Sequence, residues 1–312
     1  MSFGEKLQSL PKGILYLILI LLTSVPLFLD VAVPNKPEDA AIDLYKTLME
    51  IPEGSTILIA SDWTNSTRGE SGGQFESLMK ILMRRNIKFA FYSTGSPEAP
   101  QVARDLISVM NAKRRAKGEK EWERFESWVS LGFLPDAEAA GQGIANNFKT
   151  TFSSKTDVPA GRPPTNVFES PVLKDKAKLS DFSLVIIVTA SKTSTISIER
   201  FYGKVPIALM VTGVMGPESN VYYASGQVVG LCAGLKGLYD IENLMEHGIN
   251  VDSDPQTIRS SRISGEVKGF PGMDNKGKGA RYYPTLHFAL TLLILAVIAG
   301  NVGMVLAKRK GR

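Results

Sequence analysis

The stretch that decides the fold is Phe182-Ser183-Leu184-Val185-Ile186-Ile187-Val188. It is a short, continuous apolar run with several β-branched residues, which is typical of a strand buried on both faces of a parallel sheet. Residues 55–60 and 206–211 have the same character, and residues 88–92 form a shorter run. These four segments are predicted to lie inside one parallel sheet.

Amphipathic segments lie between these runs. Apolar side chains recur at helical spacing in residues 40–50, 72–86, 100–111 and 194–202. Alternation of strand and helix is the signature of parallel βαβ units, whose right-handed crossovers place helices on both faces of the sheet. The predicted fold class is therefore α/β, with a Rossmann-like, doubly wound, mostly parallel sheet of four or five strands.

The alternation is interrupted between residues 112 and 179, which we interpret as a helical and loop insertion. It opens with Lys113-Arg114-Arg115-Ala116-Lys117, a run more typical of a solvated helix end than of a phosphate-binding patch. The insertion also contains a long proline-rich loop, and loops of such length are generally functional or bound to a partner. The predicted elements are a charged helix (119–126), a strand (128–134), a helix (137–152) and the proline-rich loop (157–171).

A long helix is predicted over residues 224–246, and it contains a glycine stripe. Gly226, Gly230 and Gly234 recur every four residues and would lie along one face. Each glycine inside a helix costs about 1 kcal/mol relative to alanine, so three of them indicate close approach of another backbone. That backbone belongs either to the domain's own sheet or to the same helix of a neighbouring subunit.

Two hydrophobic windows, residues 13–29 and 285–307, contain no charged side chain. A helix rises about 1.5 Å per residue, so roughly 20 apolar residues cross a hydrocarbon core of about 30 Å. The second window meets this length, whereas the first is near the short limit and contains Pro26. A cleavable signal peptide is the alternative for the first window, but no small-x-small pattern follows it. We predict transmembrane helices over residues 13–33 and 285–307.

The charges at the two ends predict the orientation. Cytoplasmic flanks of membrane helices are rich in lysine and arginine, so the tails 1–12 and 308–312 are predicted to be cytoplasmic. The domain between them, residues 34–284, is then extracytoplasmic, and the protein is a two-pass component of the cell (inner) membrane with a periplasmic domain. The basic residues expected to anchor the second helix are Lys308, Arg309, Lys310 and Arg312.

The same tails account for most of the net charge. Of the total of +5, the N-terminal tail carries +1, Asp30 carries −1 and the C-terminal tail carries +4, which leaves about +1 for the rest of the chain. A nucleic-acid-binding domain normally has a concentrated basic face, so nucleic acid is excluded as a predicted partner. The basic tails instead suit anionic lipid headgroups.

Polar residues follow the predicted strands. Ligands of open parallel sheets gather at the carboxyl ends of the strands, although the same residue types also serve as ordinary helix caps. The glycine-rich segment Gly69-Glu70-Ser71-Gly72-Gly73 matches neither the P-loop nor the dinucleotide fingerprint, so no cofactor is predicted. The candidate ligand-binding residues are Asp62, Thr64, Asn65, Ser93, Thr94, Thr189, Ser191, Lys192 and Thr212.

Residues typical of catalysis are sparse. The two histidines, His247 and His287, have no neighbours that suggest a triad or a metal cluster, and Cys232 is the lone cysteine. Asp62 is the best single candidate for a general base or a metal-bound carboxylate, but it has no predicted partner. We therefore predict no catalytic residue and no metal site.

Together these features predict a membrane-anchored, non-enzymatic scaffold that self-associates into a homo-oligomer, with the lipid bilayer and other membrane proteins as further partners. Two alternatives remain open at this point. One is a ligand-binding or accessory subunit of a membrane transport (export) complex. The other is a membrane-tethered hydrolase.

Overall fold

A computed structural model describes residues 11–29, 31–34 and 36–310, with side chains up to Lys308. Residues Lys36–Gly279 form one compact unit, the α/β domain, and the segments on either side of it form a second unit. The helices of the described chain, in order, are α1 (Lys12–Phe28), α2 (Asp39–Glu50), α3 (Ser71–Arg84), α4 (Ala99–Ala116), α5 (Ala137–Asn146), α6 (Phe148–Thr151), α7 (Thr193–Phe201), α8 (Gly216–Ala224), α9 (Gly234–His247) and α10 (Lys278–Lys310). The strands are β1 (Thr56–Asp62), β2 (Lys88–Ser93), β3 (Trp128–Phe133), β4 (Thr156–Asp157), β5 (Thr165–Asn166), β6 (Val185–Thr189), β7 (Ile207–Val211) and β8 (Gly230–Ala233).

The domain is built on a six-stranded sheet in the order β3-β2-β1-β6-β7-β8, and every pair in it is parallel. The order reverses between β1 and β6, which is the arrangement of a doubly wound sheet. Side chains alternate across it: Ile57 and Ile59 pack in one core with α2, α3, α4 and α9. Leu58 and Ala60 pack in the other with α5, α6 and α7. The predicted α/β class and the Rossmann-like parallel sheet are confirmed.

The sheet has six strands instead of the predicted four or five, and the sixth corrects the predicted helix over 224–246. The chain leaves α8, turns at Gly226 with a φ of 75°, runs as β8 and only then enters α9. The four-residue strand Gly230–Ala233 is too short, and too close to glycines, to stand out from a helical pattern. Gly226, Gly230 and Gly234 therefore lie in three different elements and form no helical stripe.

Close backbone approach does occur at two of these glycines, within the chain. A Cβ on Gly230 would lie 2.5 Å from the Cα of Leu44 in α2. A Cβ on Gly234, whose φ is 59°, would lie 2.8 Å from the Cα of Gly213. The glycines thus let α2 and the β7–α8 loop pack against β8 and the start of α9, and they supply no evidence for a neighbouring subunit.

The insertion is shorter than predicted, because β3 pairs with β2 as the edge strand of the main sheet. The predicted charged helix over 119–126 is absent from the described structure. Residues there form an irregular turn, held by paired hydrogen bonds between the Asn111 side chain and the backbone of Trp122. The predicted helix over 137–152 breaks at Asn147, whose side chain caps α6. The predicted loop over 157–171 contains the two-stranded β4–β5 hairpin.

The terminal segments contain two apolar helices, α1 and α10. Within the described residues, the stretch Lys278–Lys308 of α10 is long and apolar enough to cross a membrane, as judged from length and composition. The 17 residues of α1 fall short of the roughly 20 needed, and Pro26 lies within its last turn. Only the second of the two predicted spans therefore has structural support. The N-terminal tail up to residue 10, the side chains of Arg309 and Lys310, and Arg312 lie outside the described residues.

Candidate functional site

Four of the predicted ligand-binding residues lie together at the edge of the sheet that the carboxyl ends of the strands form. They surround the point where the strand order reverses. Asp62 ends β1 and is the register partner of Thr189, which ends β6. Ser93 ends β2, and Thr212 directly follows β7. All four side chains are buried. This edge is the crevice in which ligands of doubly wound sheets bind.

Asp62 is the centre of a hydrogen-bond network that joins β1 to the β2–α4 loop. Its Oδ1 accepts hydrogen bonds from the Ser93 hydroxyl at 2.7 Å, the Thr94 amide at 2.7 Å and the Gly95 amide at 2.9 Å. Its Oδ2 accepts a fourth bond, from the Thr94 hydroxyl, at 3.2 Å. A carboxylate engaged by four donors of its own chain positions a loop, and it is poorly placed to act as a base or metal ligand.

Tyr92, the residue before Ser93, lies close enough to Asp62 for its phenol to be affected by the charge of that carboxylate. Its side chain is buried, and burial raises the pKa of Tyr92 well above its usual range. The negative charge of Asp62 raises the pKa further. Tyr92 therefore remains protonated and does not serve as a phenolate nucleophile.

Thr189 fixes the loop that follows β6. Its hydroxyl donates to the Asp62 carbonyl at 3.3 Å and accepts from the Ser191 amide at 2.9 Å. The Ser191 hydroxyl in turn accepts a bond from the Thr193 amide at 3.4 Å, at the start of α7. These bonds hold a turn and the beginning of a helix, which is the capping role that serine and threonine commonly have.

The remaining predicted residues lie nearer to solvent. The Lys192 ammonium lies 3.7 Å from the Glu218 carboxylate, and its side chain is 79% exposed. The Thr64 and Ser66 hydroxyls are hydrogen-bonded to each other at 2.8 Å. Asn65 is exposed in the β1–α3 loop. These side chains lie at the solvent side of the crevice.

Glu70 is a residue of this edge that the sequence patterns did not indicate. It immediately precedes α3, and its Oε2 accepts a hydrogen bond from the Gly213 amide at 2.7 Å. The only signal in the sequence was its place in the glycine-rich segment. That segment is used for packing, since Cβ atoms on Gly72 and Gly73 would lie 3.2 Å from the Trp63 ring and 2.7 Å from the Leu238 side chain. With a carboxylate beside the helix start, the loop does not fit a pyrophosphate.

Gln74 is the second residue that sequence reasoning missed. Its side chain is fully buried, and its Nε2 donates to the Val211 carbonyl at 2.7 Å and to the Cys232 carbonyl at 3.4 Å. It thereby joins the ends of β7 and β8. Burial raises the pKa of the Cys232 thiol well above its usual range, and the charge of Asp240 adds to this effect. Cys232 is a protonated core residue.

Neither histidine lies in the crevice. The Nδ1 of His247 is 2.7 Å from Asp254, on the polar segment after α9, and hydrogen bonding to His247 lowers the pKa of that carboxylate. His287 packs edge-on against Tyr283 in α10, with ring centroids 4.4 Å apart. Among the described residues, no group of three histidine, cysteine, aspartate or glutamate side chains could hold a metal ion.

The crevice is therefore formed by loops that are joined to one another by hydrogen bonds, with exposed polar residues at its rim. Its best-placed carboxylate is engaged by backbone donors, and its lysine is paired with a glutamate. Such a site can bind through hydrogen bonds, and the predicted residues bring no nucleophile and base together. When searched against protein-family models, curated proteins and solved structures, the chain matches none of them.

Proposed function

We propose that this chain is a membrane-anchored, non-enzymatic scaffold whose α/β domain self-associates. The observation that carries the proposal is an apolar stripe on the outer face of α8 and the turn before it. Val214 is 90% exposed and Val221 is 65% exposed. Pro217 and Ala224 are exposed as well, so the four residues recur at the helical spacing of three and four. These four residues form the α8 stripe.

The rest of α8 is fixed to its own domain. Ser219 is buried, and so is Met215 just before the helix. The Tyr223 hydroxyl donates a hydrogen bond to Asp43 in α2, and burial together with this bond raises the pKa of Tyr223 to about 12. The helix therefore has a rigid inner face and an apolar outer face that its own chain leaves in solvent. Exposed apolar patches on rigid elements are characteristic of protein interfaces.

A second copy of the chain is the partner that suits this face best. Anchored copies share one plane and one orientation, which raises their effective concentration for lateral contact. The stripe itself is uncharged, and Lys192 and Glu218 flank it as an oppositely charged pair 3.7 Å apart. In a two-fold interface each charge of one copy can face its opposite in the other. The α8 stripe thus replaces the glycines as the basis for self-association.

Cross-linking in membranes tests this proposal. We expect Val221→Cys to give a dimer with a short bismaleimide, because a two-fold interface centred on the α8 stripe would bring the two copies of this residue together. The native Cys232 is fully buried, so it contributes little background. Val109→Cys is the matched control, since Val109 is 45% exposed on α4, away from the stripe. Equal cross-linking of the two variants, or none in either, would contradict self-association through α8.

The anchoring is part of the same proposal. We infer that α10 spans the inner membrane, that α1 is a second, shorter span, and that both termini are cytoplasmic while the domain is periplasmic. The charge-free windows and the basic C-terminal tail support this topology. Asn65→Cys, on an exposed loop, should react with a membrane-impermeant maleimide from the periplasmic side. Reaction only from the cytoplasmic side would invert the topology.

The contribution of α1 can be separated from that of α10. A chain ended after Gly279 lacks nearly all of α10 but keeps α1 and the whole domain. With two spans, this truncated protein should remain in the membrane fraction after an alkaline carbonate wash. Its recovery in the soluble fraction, still folded, would show that α10 is the sole anchor.

A second candidate function is a ligand-binding or accessory subunit of a membrane transport complex. The observation that favours it is the crevice, where the Asp62 network fixes the loops while Thr64 and Asn65 remain at the rim. Co-purification of the full chain with a permease or an ATPase would support this function. That association should weaken in Asn65→Ala and persist in Val109→Ala.

A further inference from the structure

A cleft of about 710 Å³ opens in the α/β domain between α3, α4 and the segment 270–274. It lies on the face of the sheet that α3 and α4 cover, and it is separate from the crevice at the strand ends. Its volume falls within the range of roughly 300–1,000 Å³ that small-molecule sites occupy. The predicted solvated run Lys113–Lys117 contributes three of its lining side chains.

Basic side chains outnumber acidic ones in this cleft by six to three. Its formal charge of +3 exceeds the charge of about +1 that remains for the chain outside its charged ends. The acids are Glu76, Glu119 and Asp274. The basic residues are Lys80, Arg84, Lys113, Arg114, Lys117 and Lys120.

Two of these cations are held loosely. The Lys113 ammonium is 3.9 Å from Glu76, and the Lys117 ammonium is 3.9 Å from Asp274. Their side chains are 60% and 56% exposed. Lysines held at such distances can turn toward an incoming anion at small cost, because exposed ion pairs contribute only about 0–1 kcal/mol.

Lys80 differs from them because it is only 9% exposed. Its ammonium lies 3.7 Å from the Glu76 carboxylate and 3.4 Å from the Lys276 carbonyl. A nearly buried ammonium normally has close partners, since taking a charge out of water is costly. These long contacts leave room for an additional anionic acceptor in the cleft.

The inner wall of the cleft is apolar. Met83 and Met110 line it and are 8% and 6% exposed. Phe270 lies beside them, with the Arg84 guanidinium 5.1 Å from the centre of its ring. Methionine side chains adapt to irregular ligands, and an arginine over an aromatic ring presents a flat cationic surface.

We propose that this cleft binds a phosphate ester that carries an apolar group, with the phosphate on the lysines and the apolar group against the methionines and Phe270. Two sources share this chemistry. One is a free nucleotide. The other is the headgroup of an anionic phospholipid, because the segment that ends at Asp274 precedes α10 by only a few residues.

Titration calorimetry on the full chain, in nanodiscs of zwitterionic phosphatidylcholine, tests whether the cleft binds a free nucleotide. The probes are ADP and inorganic pyrophosphate. ADP should bind more tightly because its adenine also packs against the apolar wall. Lys113→Gln/Lys117→Gln should weaken ADP binding by about tenfold or more, since charge-assisted hydrogen bonds are lost. Lys46→Gln/Lys174→Gln removes the same charge outside the cleft and should leave ADP binding unchanged.

Nanodiscs that contain phosphatidylglycerol test the lipid source, with the melting temperature of each variant as the readout. A stabilisation by phosphatidylglycerol that disappears in Lys113→Gln/Lys117→Gln but not in Lys46→Gln/Lys174→Gln supports the site as a lipid site. ADP binding with the same dependence supports it as a nucleotide site. Equal losses in the two double variants, or no response to any probe, would overturn the proposal.

Discussion

Asp62 and Ser93, at the ends of two neighbouring strands, are joined by a 2.7 Å hydrogen bond from the Ser93 hydroxyl to Oδ1 of Asp62. Both side chains are buried, and the same carboxylate oxygen accepts the amides of Thr94 and Gly95. The carboxylate therefore satisfies backbone donors that would otherwise be left without a partner in the protein. Its position at the switch point of the sheet reflects a need of the fold before any need of a ligand.

Replacing Asp62 by alanine should destabilise the domain. The buried Ser93 hydroxyl and the half-buried Thr94 amide lose their acceptor. An unsatisfied buried group costs about 1–3 kcal/mol, so we expect a loss in that range. Urea unfolding of the full chain in detergent, followed by tryptophan fluorescence, measures this loss. Thr64→Ala, which removes a bond to Ser66 only, should change stability little. An Asp62→Ala protein as stable as Thr64→Ala would mean that the carboxylate is dispensable for folding.

Gly230→Ala should also destabilise the domain, because the new methyl group would lie 2.5 Å from the Cα of Leu44. Overpacking of this kind typically costs about 1–3 kcal/mol, and here the obstacle is backbone that cannot rotate away. Gly69→Ala is the control, since a Cβ at Gly69 meets no atom within 4 Å. The unfolding midpoint should fall for the first variant alone. A Gly230→Ala protein of normal stability but altered oligomeric size would instead restore the intersubunit interpretation of this glycine.

How far the sequence could lead differs from one element to the next. The central strands β1 and β6 could be predicted because both are buried along their whole length and their inner positions, Ile57–Ala60 and Val185–Val188, are all apolar. The four residues of β8 offer no such length. Asp62 could be identified as unusual, but its role depends on the register of β1 with β2, which periodicity does not give. The basic cleft could not be predicted from the sequence, because Lys80 and Phe270 are far apart along the chain and line one cleft only after folding.

The carboxylate of Asp181 should make stability depend on pH. The amides of Lys178 and Ala177 each donate to it at 2.8 Å, and the bond from Lys178 contributes most to lowering the pKa of Asp181. A carboxylate whose pKa is lowered in the folded state stabilises the protein at pH values above its unfolded-state pKa of about 3.9. That contribution is lost as the pH falls through the folded pKa.

Asp181→Asn should therefore lower the urea midpoint at about pH 7, and the difference from the native chain should shrink at about pH 3. Unfolding curves at both pH values measure this change. Asp175→Asn, at an exposed neighbouring position, serves as the control and should show no such dependence. A difference that is constant with pH would mean that the hydrogen bonds of Asp181 do not distinguish its charged form.

Glu242 should control the segment that leads into α10. Its side chain is 3% exposed, and its two carboxylate oxygens accept the Gly277 amide at 3.0 Å and the Gly279 amide at 2.9 Å. A Cβ on Gly279 would lie 2.7 Å from the Tyr239 nitrogen, so this segment lies directly on α9. A negative charge beside the free amides at a helix start is favourable, because it satisfies them and complements the helix dipole.

In Glu242→Gln one acceptor oxygen becomes an NH₂ group, which faces a backbone amide and cannot accept its hydrogen bond. We expect a loss of about 1–3 kcal/mol, felt first as local opening of residues 277–279. Limited trypsin digestion of the full chain measures it, since Lys276 and Lys278 are cleavage sites within this segment. Cleavage there should accelerate by about tenfold for each 1.4 kcal/mol lost. Glu266→Gln, at an exposed position, should digest at the native rate, and equal rates in all three proteins would show that Glu242 does not hold this segment.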